Sequence, residues 1–206
     1  AEDSHVEVDV PAQAGGAFVD ATQQLLEDAV ANAMTSAGAS GAIVGVWAPW
    51  SGSWVAGVGT QEVGGGAPVT ADMEFRVAQI TRPMTCDVLY AVAAEGRLSL
   101  DDSIADYVAG LAGLREVTLG QLCDGTSGLG SYATQLRPLW ISNPTREWDP
   151  KELASYGIGQ PRDAEPGAAY RDSDAGYVLL GLALERVTGK SAAELIEEYV
   201  TEPLDL

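Results

Sequence analysis

Residues 41–60 hold two apolar, β-branched and aromatic runs around a Pro-Trp-Ser-Gly-Ser turn, the pattern of a β-hairpin. From residue 18 onward, every other patterned stretch of the 206 residues reads as helix. A lone hairpin is marginal in water, so the local signals describe a mixed α/β domain whose sheet needs more than these two strands. Ahead of the hairpin, Phe18, Ala21, Leu25, Ala29 and Ala33 recur at helical spacing, predicting a helix over 18–37 that Gly38 stops. Residues 1–16 alternate Val-Glu-Val-Asp-Val and run into Pro11 and Gly15-Gly16, an extended arm before a single unit over 17–206. Trp47, Trp50 and Trp54 are assigned to core and hairpin packing rather than to a stacking platform.

Beyond the hairpin, residues 61–72 read as a loop containing a glycine triplet. From Glu74 the pattern turns helical, with Pro83 suited to a first turn and Gly96 as the stop. Thr118 is a candidate N-cap for a helical turn reaching Cys123. Residues 124–150 are loop-rich and 151–156 form a short helix. After a long loop over 161–174, two helices over 176–187 and 191–200 are separated by Thr188-Gly189.

Charge narrows the functions. Thirty acids against eleven bases give a net charge of −19, which argues against nucleic acid and against an anionic lipid surface. No apolar run approaches the ~20 residues of a membrane span. The lysines are only Lys151 and Lys190, and His5 is the one histidine. A Ser-His-Asp triad would have to recruit His5, and zinc sites built on several histidines cannot be assembled. No metal and no cofactor is implied. The chain opens Ala-Glu-Asp-Ser-His, which reads as a mature or trimmed product, and its acidic, lysine-poor composition suits an exported bacterial protein. Spacing alone leaves Cys86 and Cys123 open between a disulfide and two buried thiols.

Six blocks then carry a resemblance. They are Phe75-Arg-Val-Ala78 through Thr85, Glu95-Gly-Arg-Leu-Ser-Leu-Asp-Asp102, Val117 to Leu129 with its Thr-Ser-Gly-Leu, Pro166-Gly167, Gly176-Tyr-Val-Leu-Leu-Gly181, and Val187-Thr-Gly-Lys190 followed by Pro203-Leu204. In this order and spacing they resemble the serine β-lactamase and penicillin-binding-protein superfamily, specifically its class C β-lactamase and DD-carboxypeptidase-like branch. The resemblance implies an α/β fold in which an antiparallel sheet is flanked by helices and joined to an all-helical lobe. It implies an envelope or secreted protein whose ligand would be a peptidoglycan-type peptide, a β-lactam or an ester. It also implies that the sheet is completed by C-terminal strands not in this chain, supplied by a further segment or a second chain.

The family's nucleophile motif is Ser-x-x-Lys, in which the lysine helps deprotonate the serine. Here the matching positions are Gln79-Ile80-Thr81-Arg82, and neither lysine of the chain has a serine three residues before it. Glutamine has no nucleophilic oxygen, and arginine cannot act as a base. The family's Tyr-x-Asn falls on Asp172-Ser173-Asp174; shifting the register to Tyr170 still leaves Asp172 in place of asparagine. The third motif, Lys-Thr-Gly or His-x-Gly, would lie beyond Leu206. The resemblance therefore predicts a serine-hydrolase scaffold with impaired acylation, kept for binding or for structural use, in which Arg82 and Asp172 face one cleft and form a charge pair that either borders a ligand site or simply satisfies itself. The competing expectation is a hydrolase working through Thr81, Ser127 or Ser173 with Asp172 and Asp174 as carboxylates. The resemblance also brings the helix bearing Cys86 beside the segment ending at Cys123 and so implies a disulfide. The pairs Asp101-Asp102 and Glu197-Glu198 are expected to be a capping turn and a solvated helix face.

Overall fold

The computed structural model describes residues 16–162 and 164–206. The proposed arm over 1–16 lies almost wholly outside them. Two compact units divide at Arg76/Val77.

In the first unit, α1 (Asp20–Ala37) precedes an antiparallel sheet of β1 (Gly41–Ala48), β2 (Gly52–Glu62) and β3 (Gly65–Pro68), in that order across the sheet. Gly38 ends α1 in the left-handed conformation at φ 65°, which lets its N–H reach the last helical carbonyls. The stripe facing inward on α1 is Thr22, Leu26, Val30 and Met34, one residue on from the expected stripe, and Leu25 is 70% exposed. The alanines had made the neighbouring stripe look apolar, but the larger side chains Leu26, Val30 and Met34 are the ones that seek cover. The 61–72 loop is corrected as well. β2 continues to Glu62, and the glycine triplet turns the chain tightly into β3, with Thr60 opposite Pro68 and Glu62 opposite Gly65.

The hairpin register pairs Val46 with Trp54 and Trp47 with Ser53. Paired residues share a face, so Val44, Val46, Trp54 and Ala56 lie on the covered side and Gly45, Trp47 and Val55 on the exposed one. Only Trp54, at 8% exposure, packs as expected of the hairpin tryptophans; Trp47 is 63% and Trp50 86% exposed.

The second unit contains helices and no strand among the described residues. After a 3-10 turn at Ala78–Ile80 come α2 (Thr81–Ala94), α3 (Leu119–Cys123), α4 (Ala133–Ser142), α5 (Pro150–Ile158), α6 (Asp174–Thr188) and α7 (Ala192–Ile196), the last continued by one π turn at Glu197–Thr201. Helix α2 starts at Thr81 rather than near Glu74. Helix α4 lies inside the stretch read as loop; Pro138 within it masks the pattern, yet Leu136 is fully buried. Local chemistry sets the other ends. Thr118 and Gln121 cap α3 reciprocally, Asp149 accepts from Lys151 and Glu152 N–H ahead of Pro150, and Ser173 caps α6.

One apolar core runs through this unit, with Val88, Leu89 and Val92 of α2 and Leu179, Leu180, Ala183 and Leu184 of α6 at its centre. A disulfide joins Cys86 on α2 to Cys123 at the end of α3. Its 37-residue separation corresponds to about 4 kcal/mol of unfolded-state entropy.

Candidate functional site

The packing of α2 against α6 brings their N-terminal turns together. Arg82, in the first turn of α2, reaches the start of α6, 90 residues away in sequence. Its Nη1 donates to Asp172 Oδ1 at 2.5 Å, and its Nη2 donates to Asp174 Oδ1. Both contacts are ion pairs. Arg82 and Asp174 side chains are largely covered, while Asp172 is half exposed. Asp174 is held on its other oxygen as well, accepting from Ser131 Oγ at 2.5 Å.

Partial burial works against the guanidinium charge, but hydrogen bonds and the charges of Asp172 and Asp174 outweigh it and hold the Arg82 pKa above its ordinary value. Burial pushes Tyr132 up to about 12, with Asp174 raising it further and Arg82 opposing. Burial likewise raises Tyr177 against the opposing charge of Arg82. Both phenols therefore keep their protons at neutral pH, and Arg82 keeps its charge.

These groups border a cavity of about 530 Å³ lined by Gln79, Arg82, Asp174 and four aromatic rings, Tyr132, Trp140, Trp148 and Tyr177. Arg82 lies over the Tyr177 ring at 5.1 Å, and Arg146 over Trp148 at 3.8 Å. Tyr132 and Trp140 meet edge to face, 6.1 Å apart. Tyr177 is anchored below by donating from its hydroxyl to the Cys123 carbonyl at 3.1 Å, which ties the cavity floor to the disulfide.

Of the sequence-predicted residues, Gln79, Arg82 and Asp174 line the cavity and Asp172 braces Arg82. Ser173 does not join them. At 3% exposure its hydroxyl donates to the Gly130 carbonyl and accepts from Gly176 N–H, the work of a cap. Ser127 is equally buried and accepts from Leu129 N–H. Neither hydroxyl is accessible to a substrate. Thr81 does line the cavity, but neither lysine does: Lys190 pairs with Glu198, and Lys151 reaches the Ala109 carbonyl. Tyr170 is exposed and outside the cavity wall.

Sequence reasoning missed Ser131, Tyr132, Trp140 and Trp148. The only signal was the concentration of aromatic residues in 132–148, which the prolines there disguise as loop. The acidic pairs serve structure: Asp102 accepts from Ser99 N–H and from the Tyr107 hydroxyl, while Glu197 and Glu198 are exposed. Among the described residues no group of three His, Cys, Asp or Glu side chains could hold a metal ion.

Beside this geometry stand the similarities to known proteins. A family model described as Beta-lactamase matches residues 26–206. The chain belongs to that family. Among relatives, the D-alanyl-D-alanine-carboxypeptidase/endopeptidase AmpH of Escherichia coli (strain K12) is 30% identical over 145 residues, covering 66% of this chain and 36% of that protein. Esterase EstB of Burkholderia gladioli is 29% identical over 154 residues, covering 68% and 39%. The crystal structure of a D-stereospecific amidohydrolase from Streptomyces sp. matches with a TM-score of 0.72 at 31% identity, over 90% of this chain and 54% of that one. The mixed α/β architecture is thus that of the β-lactamase/transpeptidase-like proteins. The chain spans roughly a third to two fifths of its curated relatives' length and about half of that structure.

Proposed function

We propose that this β-lactamase-family chain binds ligands in the α2–α6 cleft without forming an acyl-enzyme. The observation that carries the reading is the Arg82 fork, closed on one side by Asp172 and on the other by Asp174. By the resemblance, this is where a serine hydrolase needs a lysine able to give up its proton. A guanidinium with two carboxylate partners gives up none. Gln79, at the nucleophile position, offers a carboxamide that can bind a ligand and cannot be acylated through oxygen.

The names of the relatives support a ligand class for this reading: a peptidoglycan-type peptide, a β-lactam or an ester. The reading extends to location outside the cytoplasm, supported by a disulfide of the kind that persists in oxidising compartments. No helix among the described residues is long and apolar enough to cross a membrane. It also includes completion of the sheet by a further segment or second chain, since the outer edge of β1 pairs with no strand among the described residues.

The test is covalent labelling. A fluorescent penicillin should leave no band on a denaturing gel and no mass increment, while a matched active carboxypeptidase labels fully. A stoichiometric adduct, on Thr81 or elsewhere, would overturn the reading in favour of a hydrolase using other residues.

A further inference from the structure

The four rings of the cavity are not equivalent. Tyr177 already carries the Arg82 guanidinium, and Trp148 already carries that of Arg146. Tyr132 and Trp140 stand at right angles, with an interplanar angle of 88°, and no cation lies over either among the described residues. This pair shares the cavity wall with Asp174, whose Oδ1 accepts from Arg82 and whose Oδ2 accepts from Ser131 at 2.5 Å. Charge points the same way. One guanidinium against two carboxylates leaves the Arg82 cluster negative, and Arg146 is itself offset by Glu152 at 2.7 Å. An anionic ligand would have to win Arg82 from both aspartates.

We propose that this cavity selects ligands bearing an ammonium group on an apolar or aromatic body, seating the cation at the Tyr132–Trp140 corner beside Asp174. The corner supplies ring faces and edges for the body and a fixed negative charge for the head. Exposed Gln79 adds a carbonyl acceptor for an ammonium N–H. Few bare cations would be gripped this way, because aromatic and aliphatic side chains make up most of the cavity wall; the body supplies the desolvation. The inference rests on the reading that the cleft binds rather than acylates, and it narrows the ligand class of that reading to its cationic members.

Two probes of one shape and opposite charge decide it. Phenethylammonium and phenylacetate are titrated into the whole protein by calorimetry at low salt. The amine should bind saturably and at least about tenfold more tightly than the acid. Raising the salt should weaken it. Trp140→Leu should cost about fivefold or more in affinity for the amine, and Asp172→Asn, at a half-exposed position, should weaken it with the fold intact, each variant's thermal transition serving as the check on folding. Equal or tighter binding of phenylacetate, absence of saturation, or a folded Trp140→Leu protein that binds like the parent would overturn the inference. Penicillin labelling is a separate readout: an adduct together with amine selectivity would sink the non-acylating reading alone, and no adduct with no selectivity would sink the cation site alone.

Discussion

Helix α2 is built in two halves that obey different rules. Its first turn puts Arg82 into a cluster of charge and aromatic faces, whereas its next two turns bury Cys86, Val88, Leu89 and Val92 in a core shared with α6. The apolar half would hold the two helices together whatever stood at positions 79 and 82. The charged half ties the same two helices at their N-terminal ends and lines the cleft. Core packing and cleft lining are thus carried by different residues of a single helix.

The largest effect should come from unfastening the apolar half. Replacing both cysteines, Cys86→Ala with Cys123→Ala, should cost about 4 kcal/mol by the chain-entropy argument, read as a shift in denaturant midpoint. Because Tyr177 donates to the Cys123 carbonyl, the variant should also loosen the floor under Arg82. A loss well under about 1 kcal/mol would mean that the core needs no staple, and the contrast between the two halves would then weaken.

Next is the charged half. Arg82→Gln leaves Asp174 partly covered with no cation, at an expected cost of about 1–3 kcal/mol. Arg82→Lys, keeping charge but losing the fork, should cost less. If Gln matched the parent in stability, the cluster would be a surface ornament rather than a fixed element of the cleft.

Much of this scaffold was legible in the sequence because its signals are local. The Gly41–Thr60 hairpin, the Gly38 stop and the Thr118 cap each depend on neighbours within a few residues. β3 was hidden because its four residues, Gly65–Pro68, carry no alternation. Pro138 hid α4. The inward stripe of α1 was displaced because alanine fits either side of a helix boundary, so its spacing does not say which face is covered. The cleft was legible only through the resemblance. Nothing local in Arg82 announces partners 90 and 92 positions away, and no periodicity links Tyr132 to Trp140 as a corner beside Asp174.

The phenols sharpen the comparison. Tyr132 is raised to about 12 by burial, with Asp174 adding to the rise and Arg82 opposing it. Its proton is held more tightly in the folded state than in the unfolded chain. Its contribution to stability is therefore intact below its ordinary pKa of 10.0 and is lost as pH climbs from there toward about 12. In a phenolate absorbance titration of the folded protein, Tyr132 and Tyr107 should each keep their protons until the pH approaches about 12. Arg82→Gln should delay Tyr132 further, and Asp174→Asn should bring it forward. Movement in the opposite directions would mean that the cluster's charges do not reach the phenol.

The smallest expected effect lies just before α2. Ala78 sits at φ 48°, a left-handed conformation that costs a non-glycine residue about 1 kcal/mol. Gln79 follows it directly into the cavity wall, so this backbone kink sets where the carboxamide points. Ala78→Gly should relieve the strain but free the unfolded chain, leaving a net stability change within about 1 kcal/mol. The more telling measurement is ligand affinity. If the kink holds Gln79 in place, the glycine variant should bind phenethylammonium more weakly at unchanged stability, because added backbone freedom must be lost on binding. Unchanged affinity would assign the strain to the packing of the 3-10 turn and leave the cleft's selectivity to the aromatic corner and Asp174.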